Sequence, residues 1–214
     1  MIYGRAKTWH REVISPPVEQ ALRALQESSI LARFYLAGGT GLALQLGHRR
    51  SLDLDFFSPQ EFDPEIIVSR IQHLDGFSVV ARDAQTLHTH LLGTKVSFLG
   101  YAYPVLFSLQ ELLDVNVADP RDIACMKISA IAGRGTKRDF VDLYAASKLY
   151  GLRTLLDLFK EKFARANYSA VHLLKSLTYF EDAEKDPMPN MLTAIDWEEV
   201  KAFLVNEVSR LFWC

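Results

Sequence analysis

The chain has 214 residues, is 49% hydrophobic and 23% charged, and carries a formal net charge of −2. That length buries a core without disulfides or a structural metal, and that composition excludes a disordered chain. The small net charge excludes an overall basic field, so any nucleic-acid contact must use a local patch.

The opening residues, MIYGRAKTWHREV, mix charges with aromatics and do not read as a signal peptide. VEQALRALQESSILARF (18–34) repeats apolar residues, Leu22, Leu25 and Leu31 among them, at helical spacing. FYLAGG then predicts a short strand running into a tight turn. Thr40 is the expected N-cap of a short helix, GLALQLG, that ends near Gly47. SLDLDFF alternates apolar and acidic residues, the period of a strand, with Leu52, Leu54 and Phe56 expected to face the core.

Residues 60–75 read as a helix opened by FDPE. FSVVARD (77–83) and TLHTHLLGTKVSFLGYAY (86–103) follow as strands, the second a hairpin turning near Gly93 and Thr94. From about residue 108 the pattern becomes helical: SLQELLDVN, DPRDIACMKISAIAGRG, KRDFVDLYAASKLYG and most of the remainder. Pro187 and Pro189 mark a loop before a last helix that Asp196 is expected to cap. The predicted plan is α+β, a mixed-sheet unit over 1–108 followed by a helical unit over 109–214.

No apolar run reaches the roughly 18 to 20 residues of a membrane span, so a cytoplasmic chain without membrane contact is expected. Cys125 and Cys214 are far apart and have no metal-ligand spacing, which suits free thiols.

Several side chains have no folding motive. Asp53 and Asp55 stand two apart on a predicted strand and so share a face, about 6 to 7 Å apart along the chain. Two carboxylates held side by side repel unless a cation or strong donor lies between them. Magnesium takes a few carboxylate oxygens together with phosphate oxygens, which fits such a pair. An acidic edge strand is the plain alternative. Gly38-Gly39-Thr40 joins a strand to a helix; the glycines let bulky anions approach backbone N–H groups, and the helix start offers free amides to a phosphate. A simple strand-to-helix turn is its alternative. Together, the turn and the Asp-x-Asp strand would bring a phosphate cradle and a metal pair to one end of a sheet. Between them, Arg49 is suited to grip a phosphate oxygen or brace Asp53, and Ser51 to donate a hydrogen bond beside a metal.

In the helical half, Lys127 borders a packed face, where it either snorkels or reaches a triphosphate. Asp139 and Asp142 share a helix face; Asp139 suits a helix N-terminus, whereas Asp142 stands among Val141, Leu143 and Tyr144. Arg134, Lys137 and Arg138 form the densest basic patch of this half. His88 and His90 alternate on a strand, but no third metal ligand is visible near them.

LAGGTGLALQLGHRRSLDLDFF followed by KISAIAGRGTKRDFVDLY resembles the abortive-infection (AbiEii/AbiGii-type) nucleotidyltransferase toxins, members of the nucleotidyltransferase superfamily. The tail LLKSLTYFEDAEKDPMPNM has the family's look as well. The resemblance implies a nucleotidyltransferase-like mixed β-sheet core with flanking helices and a helical half completing the cleft. It implies NTP as substrate and Mg²⁺ as cofactor, with Gly38, Gly39 and Thr40 on the phosphates and Asp53 and Asp55 on the metal. Arg49 and Ser51 match an Arg-x-Ser-x-Asp element, and Lys127 is implied to contact the triphosphate. Asp142, with Asp139 as the alternative, is implied to be the acidic catalytic residue of the helical half.

In the toxin relatives the acceptor hydroxyl belongs to the 3′ end of tRNA or another molecule, and a cognate antitoxin protein is an expected partner. Many superfamily members carry a third carboxylate on a neighbouring strand; here Ser97 in KVSFLGY takes that place. Either Asp142 supplies the missing function, or the protein is an inactive module that binds nucleotide or a partner protein. A phosphohydrolase would want further His or Asp ligands, which the sequence does not offer.

Overall fold

The computed structural model describes residues 9–212; residues 1–8 of the amino-terminal stretch, and Cys214, lie outside them. The elements in chain order are α1 (Pro16–Glu27), β1 (Tyr35–Leu36), α2 (Gly38–Leu46), β2 (Leu54–Ser58), α3 (Pro64–Ile71), β3 (Ser78–Asp83), β4 (Thr86–Leu91), β5 (Thr94–Gly100), β6 (Gln110–Leu112) and β7 (Val115–Val117). Six helices follow: α4 (Pro120–Arg134), α5 (Lys137–Tyr150), α6 (Leu152–Lys162), α7 (Ala170–Ser176), α8 (Glu181–Glu184) and α9 (Trp197–Phe212). The strands make one mixed sheet in the order β3-β4-β5-β2-β1-β7-β6, parallel only at β2–β5 and β1–β7.

Three of the expected elements are corrected. The helix predicted over 18–34 ends at Glu27, because Ser29 turns left-handed at φ 58°, and a 3-10 turn covers Ile30–Arg33. The helix predicted to begin after Thr40 begins at Gly38, with Ala37 as its N-cap, so Thr40 sits inside it. SLQELLDVN is not helical: it supplies the short hairpin β6–β7, turning through Leu113 and Asp114 at φ 50° and 55°. β7 pairs with β1, so the sheet continues past residue 108 and the helical half starts at Pro120.

Among the described residues there are two apolar cores, and a third patch joins them. Leu22 and Leu25 of α1 pack beneath Leu36, Leu54, Phe56, Val96 and Phe98 of the sheet. Ile128, Phe140, Leu143, Leu155, Phe159, Val200 and Leu204 form the helical core. Between them Tyr35, Ala37 and Leu42 meet Ala118 and Ile123, which seats α2 against α4.

The segment between β5 and β6 is fastened by a buried ion pair. Lys162 Nζ lies 2.7 Å from Asp122 Oδ1 and donates to the Pro104 carbonyl at 2.6 Å, while the Leu106 and Phe107 N–H groups donate to Asp122. Both charged side chains are 1% exposed. Removing one member leaves the other charge buried and less compensated, at a cost of about 3 kcal/mol. Lys162→Met is therefore expected to lower the urea midpoint by an amount corresponding to about 3 kcal/mol, with no change in the parent's helix content by circular dichroism.

Candidate active site

β2 lies between β1 and β5, and the Ala37 N–H donates to the Asp55 carbonyl at 3.0 Å, so the start of α2 is fastened to the strand that carries Asp55, with Asp53 one residue ahead of that strand. The two glycines at that start answer a steric demand. A Cβ on Gly38, whose φ is +60°, would stand 2.7 Å from Asp55 Oδ2, and one on Gly39 would stand 2.3 Å from Arg49 Nη2. Any side chain there would push the carboxylate or the guanidinium away.

A cavity of about 210 Å³ opens at this junction, lined by Gly39, Arg49, Ser51, Asp53, Asp55, Lys127, Thr136, Arg138 and Asp139. Residues of both halves of the chain thus face one space. Thr40 does not face it. Its side chain is buried, lies 2.8 Å from Ser51 Oγ and donates to the Asp53 carbonyl, which pins the chain just before β2. Leu52 departs from the strand expectation too: β2 begins only at Leu54, and Leu52 is 64% exposed.

Asp142 is the largest departure. Expected to face the reaction, it stands behind the cavity at 0% exposure. Arg49 grips it through Nε at 2.7 Å and Nη2 at 2.8 Å, His48 Nε2 lies 2.8 Å from Oδ1, and Lys127 Nζ lies 2.8 Å from Oδ2. Burial works against its charge, but Lys127 and Arg49 outweigh that penalty and hold its pKa well below the ordinary carboxylate range. Lys127 responds in kind. Burial alone would discharge it, yet Asp142 and Asp139 raise its pKa above the ordinary value. Asp139 also accepts from the Thr136 N–H and hydroxyl, at 3.1 and 2.7 Å, fixing the start of α5 at the cavity wall. His48 is a member that the sequence reading missed; its only signal was its place in HRRSLD beside Arg49.

The carboxylate pair has the opposite character. Asp53 is 38% exposed in its side chain, with Arg138 Nη1 at 3.7 Å. Asp55 has its pKa raised, first by loss of solvent and further by Asp53, while a hydrogen bond from Ser97 partly offsets this. Ser97 is the registered partner of Asp55 on β5, and His88 is the registered partner of Ser97 on β4. His88 Nδ1 lies 3.0 Å from Ser97 Oγ. An ionised Asp55 only accepts, so the Ser97 hydroxyl donates a hydrogen bond to it and accepts one from His88 Nδ1–H. The place of a third strand carboxylate is thus taken by a donor pair that steadies Asp55. His88 and His90 do not assemble a metal site, and no cluster of three or more His, Cys, Asp or Glu suited to a metal occurs among the described residues. Two carboxylates, one desolvated and raised by the other, fit a magnesium ion that arrives with phosphate oxygens of its own.

Within the basic patch only Arg138 lines the cavity. Lys137 is buried, its N–H donating to Asp186 Oδ2 at 3.0 Å and its ammonium lying 5.1 Å from the centre of the Trp197 ring. Cys125 is a buried free thiol whose pKa burial pushes up to about 12, which makes it unreactive. No helix among the described residues is long and apolar enough to cross a membrane.

The turn at Gly39, the Asp53–Asp55 pair and a lysine of the helical half meet around one cavity. The model of the nucleotidyl transferase AbiEii toxin family, of a type IV toxin–antitoxin system, matches residues 20–106 and 88–210, and the chain belongs to that family. It is a nucleotidyltransferase enzyme. An uncharacterized protein of Aquifex aeolicus (strain VF5) is 38% identical over 197 residues, covering 89% of this chain and 94% of the relative. Among solved structures, MenT4, a nucleotidyltransferase toxin from Mycobacterium tuberculosis H37Rv, has the same fold with a TM-score of 0.62 at 18% identity, over 92% of this chain and 82% of that one. JHP933 from Helicobacter pylori has a TM-score of 0.56 at 18% identity, over 92% and 93%.

The opposite pKa directions give opposite outcomes. Asp142 stays ionised in the fold to a lower pH than in the unfolded chain, where a carboxyl titrates near about 3.9. As pH falls through that value the unfolded chain takes up the proton first, so stability present at neutral pH is lost. Asp142→Asn is expected to cost about 3 kcal/mol at pH 7 and to flatten the loss of stability below pH 4. Ionised Asp55 costs the fold instead, so Asp55→Asn is expected to raise the Tm in chelator; a fall in Tm would contradict the geometry described for the pair.

Proposed function

We propose that this nucleotidyltransferase moves a nucleoside monophosphate from an NTP to an acceptor hydroxyl. The observation that carries the reading is the meeting of Asp53, Asp55 and Lys127 in one cavity beside the Gly39 backbone. Asp53 and Asp55 would hold Mg²⁺, which when bound supplies charge stabilisation to the entering and leaving oxygens. Lys127 holds a fixed positive charge toward the β and γ phosphates, and Arg138 supplies a mobile one at the rim. The acceptor oxygen bonds to the α-phosphorus, the bond to the α–β bridging oxygen breaks, and pyrophosphate leaves with the electron pair. Asp139 and Asp142 are not the base here, because their oxygens already accept from Lys127, Arg49, His48 and Thr136. The hydroxyl proton goes to water. Asp142 instead acts as a positioning residue that aims Lys127 and Arg49.

We extend the reading to a toxin acting in the cytoplasm on the 3′ end of tRNA and restrained by a cognate antitoxin. What supports this part is the family itself. The local charge at Arg138 suits a phosphate-bearing acceptor, at a rim position rather than along a groove.

Incubation with each α-labelled NTP, Mg²⁺ and bulk tRNA tests the reaction. Label is expected on tRNA, lost with chelator and lowered at least about 10²-fold by Lys127→Met, the order of magnitude seen when one transition-state donor is removed. Asp53→Asn and Asp55→Asn are expected to abolish it. Transfer that survives both aspartate substitutions would overturn the assignment.

A further inference from the structure

The cavity that holds Asp53, Asp55 and Lys127 has polar or glycine walls throughout. It offers an anion everything it needs and offers a flat apolar group nothing. Beside it lies a second cavity of about 310 Å³, which shares Arg49, Ser51, Thr136 and Arg138 with the first. Its remaining lining adds four apolar residues that the first cavity lacks, Leu52, Pro187, Met188 and Pro189, together with the polar Arg50, Asp186 and Asn190.

Folding does not explain Leu52, and Met188 does two things at once, packing half-buried against the helical core while lining this cavity. Leu52 follows Ser51 immediately yet leaves the core for solvent, at 64% exposure. The Pro187–Pro189 segment is a loop fixed at both ends. Asp186 accepts from the Lys137 N–H at 3.0 Å, Asn190 O accepts from the Arg50 N–H at 2.8 Å, and the Leu192 N–H donates to His48 O at 2.9 Å. Two prolines fix φ between those anchors, which leaves a stiff apolar shelf lining the same cavity as Leu52. The anchors are the residues next to Arg49 and the first residue of α5, so the shelf is held in register with the phosphate-type cavity.

We infer that this shelf seats a nucleobase, its faces between Leu52 and the Pro-Met-Pro segment, and its sugar and phosphates passing Ser51 and Arg138 into the carboxylate cavity. A mostly apolar pocket with a few polar groups at its edge is what a heteroaromatic ring requires, and Arg138 and Asn190 supply that edge. The proposal rests on the nucleotidyl-transfer reading and adds the recognition element that the cavity of Asp53 and Asp55 lacks. The base belongs either to the donor NTP or to the acceptor's terminal nucleotide.

The test compares Leu52→Ala and Met188→Gln with the parent, by calorimetric titration with Mg–NTP and with Mg–tripolyphosphate, and by the KM for tRNA at saturating NTP. Leu52 is exposed, so its truncation leaves the fold intact; Met188→Gln probes the other wall. Loss of apolar contact is expected to weaken one ligand about tenfold. Weaker NTP binding with unchanged tripolyphosphate binding supports the shelf with the donor base in it. Unchanged NTP binding with a raised tRNA KM supports the shelf with the acceptor base in it. Unchanged values for both, or equal losses for NTP and tripolyphosphate, overturn the shelf while leaving the phosphate site standing. A parent protein that binds neither magnesium complex overturns the reading of the cavity, and the shelf with it.

Discussion

One buried carboxylate organises this molecule. Asp142 on α5 accepts from His48 and Arg49, which precede β2, and from Lys127 on α4. It joins three charged or polar side chains that would otherwise have no reason to converge. An unpaired charge so deep would cost several kcal/mol, so each partner is held as firmly as the carboxylate itself. The clamp also ties sheet to helices, because His48 and Arg49 belong to the first half of the chain and Lys127 and Asp142 to the second.

The clamp explains the charge layout of the cavity. Lys127 and Arg49 line the cavity while their donors are held by Asp142 and Asp139, so their positive charge is fixed in place before an anion arrives. Asp53 and Asp55 face the same space without a comparable set of donors. Asp55 has Ser97 and, through it, His88; Asp53 has the distant and exposed Arg138. The site therefore places fixed positive charge beside a carboxylate pair with few donors, an arrangement suited to a magnesium-bound polyphosphate.

Most of the sheet was legible because its strands carry a clear period. Leu54, Asp55 and Phe56 alternate, and the β4–β5 hairpin turns at Leu92 and Gly93 close to where the glycine places it. The β6–β7 hairpin was not legible. Its strands are three residues each, its turn uses Leu113 and Asp114 rather than an Asn-Gly pair, and Leu109, Leu112 and Leu113 mimic a helical spacing. In the site, Gly38, Gly39 and Lys127 each had a plain structural reading beside the functional one, whereas Asp53 and Asp55 stood out because folding gives a carboxylate pair little motive. Asp142 stood out for the same reason, yet local pattern could not tell a buried brace from an exposed acid. That distinction depends on contacts between residues more than ninety positions apart. His48 was missed on the same ground, since nothing near it in sequence marks it as a partner of α5.

Nucleotidyl transfer at this site requires Lys127 and the Asp53–Asp55 pair to surround a single triphosphate. A crystal structure of the protein with Mg²⁺ and a non-hydrolysable NTP analogue tests this most directly. Density is expected for a metal on both aspartates, with a β or γ phosphate oxygen in hydrogen-bond reach of Lys127 Nζ and Asp142 still bound behind it. A triphosphate seated elsewhere, or one lying on the aspartates with Lys127 still turned away toward Asp142 and Asp139 alone, would contradict it.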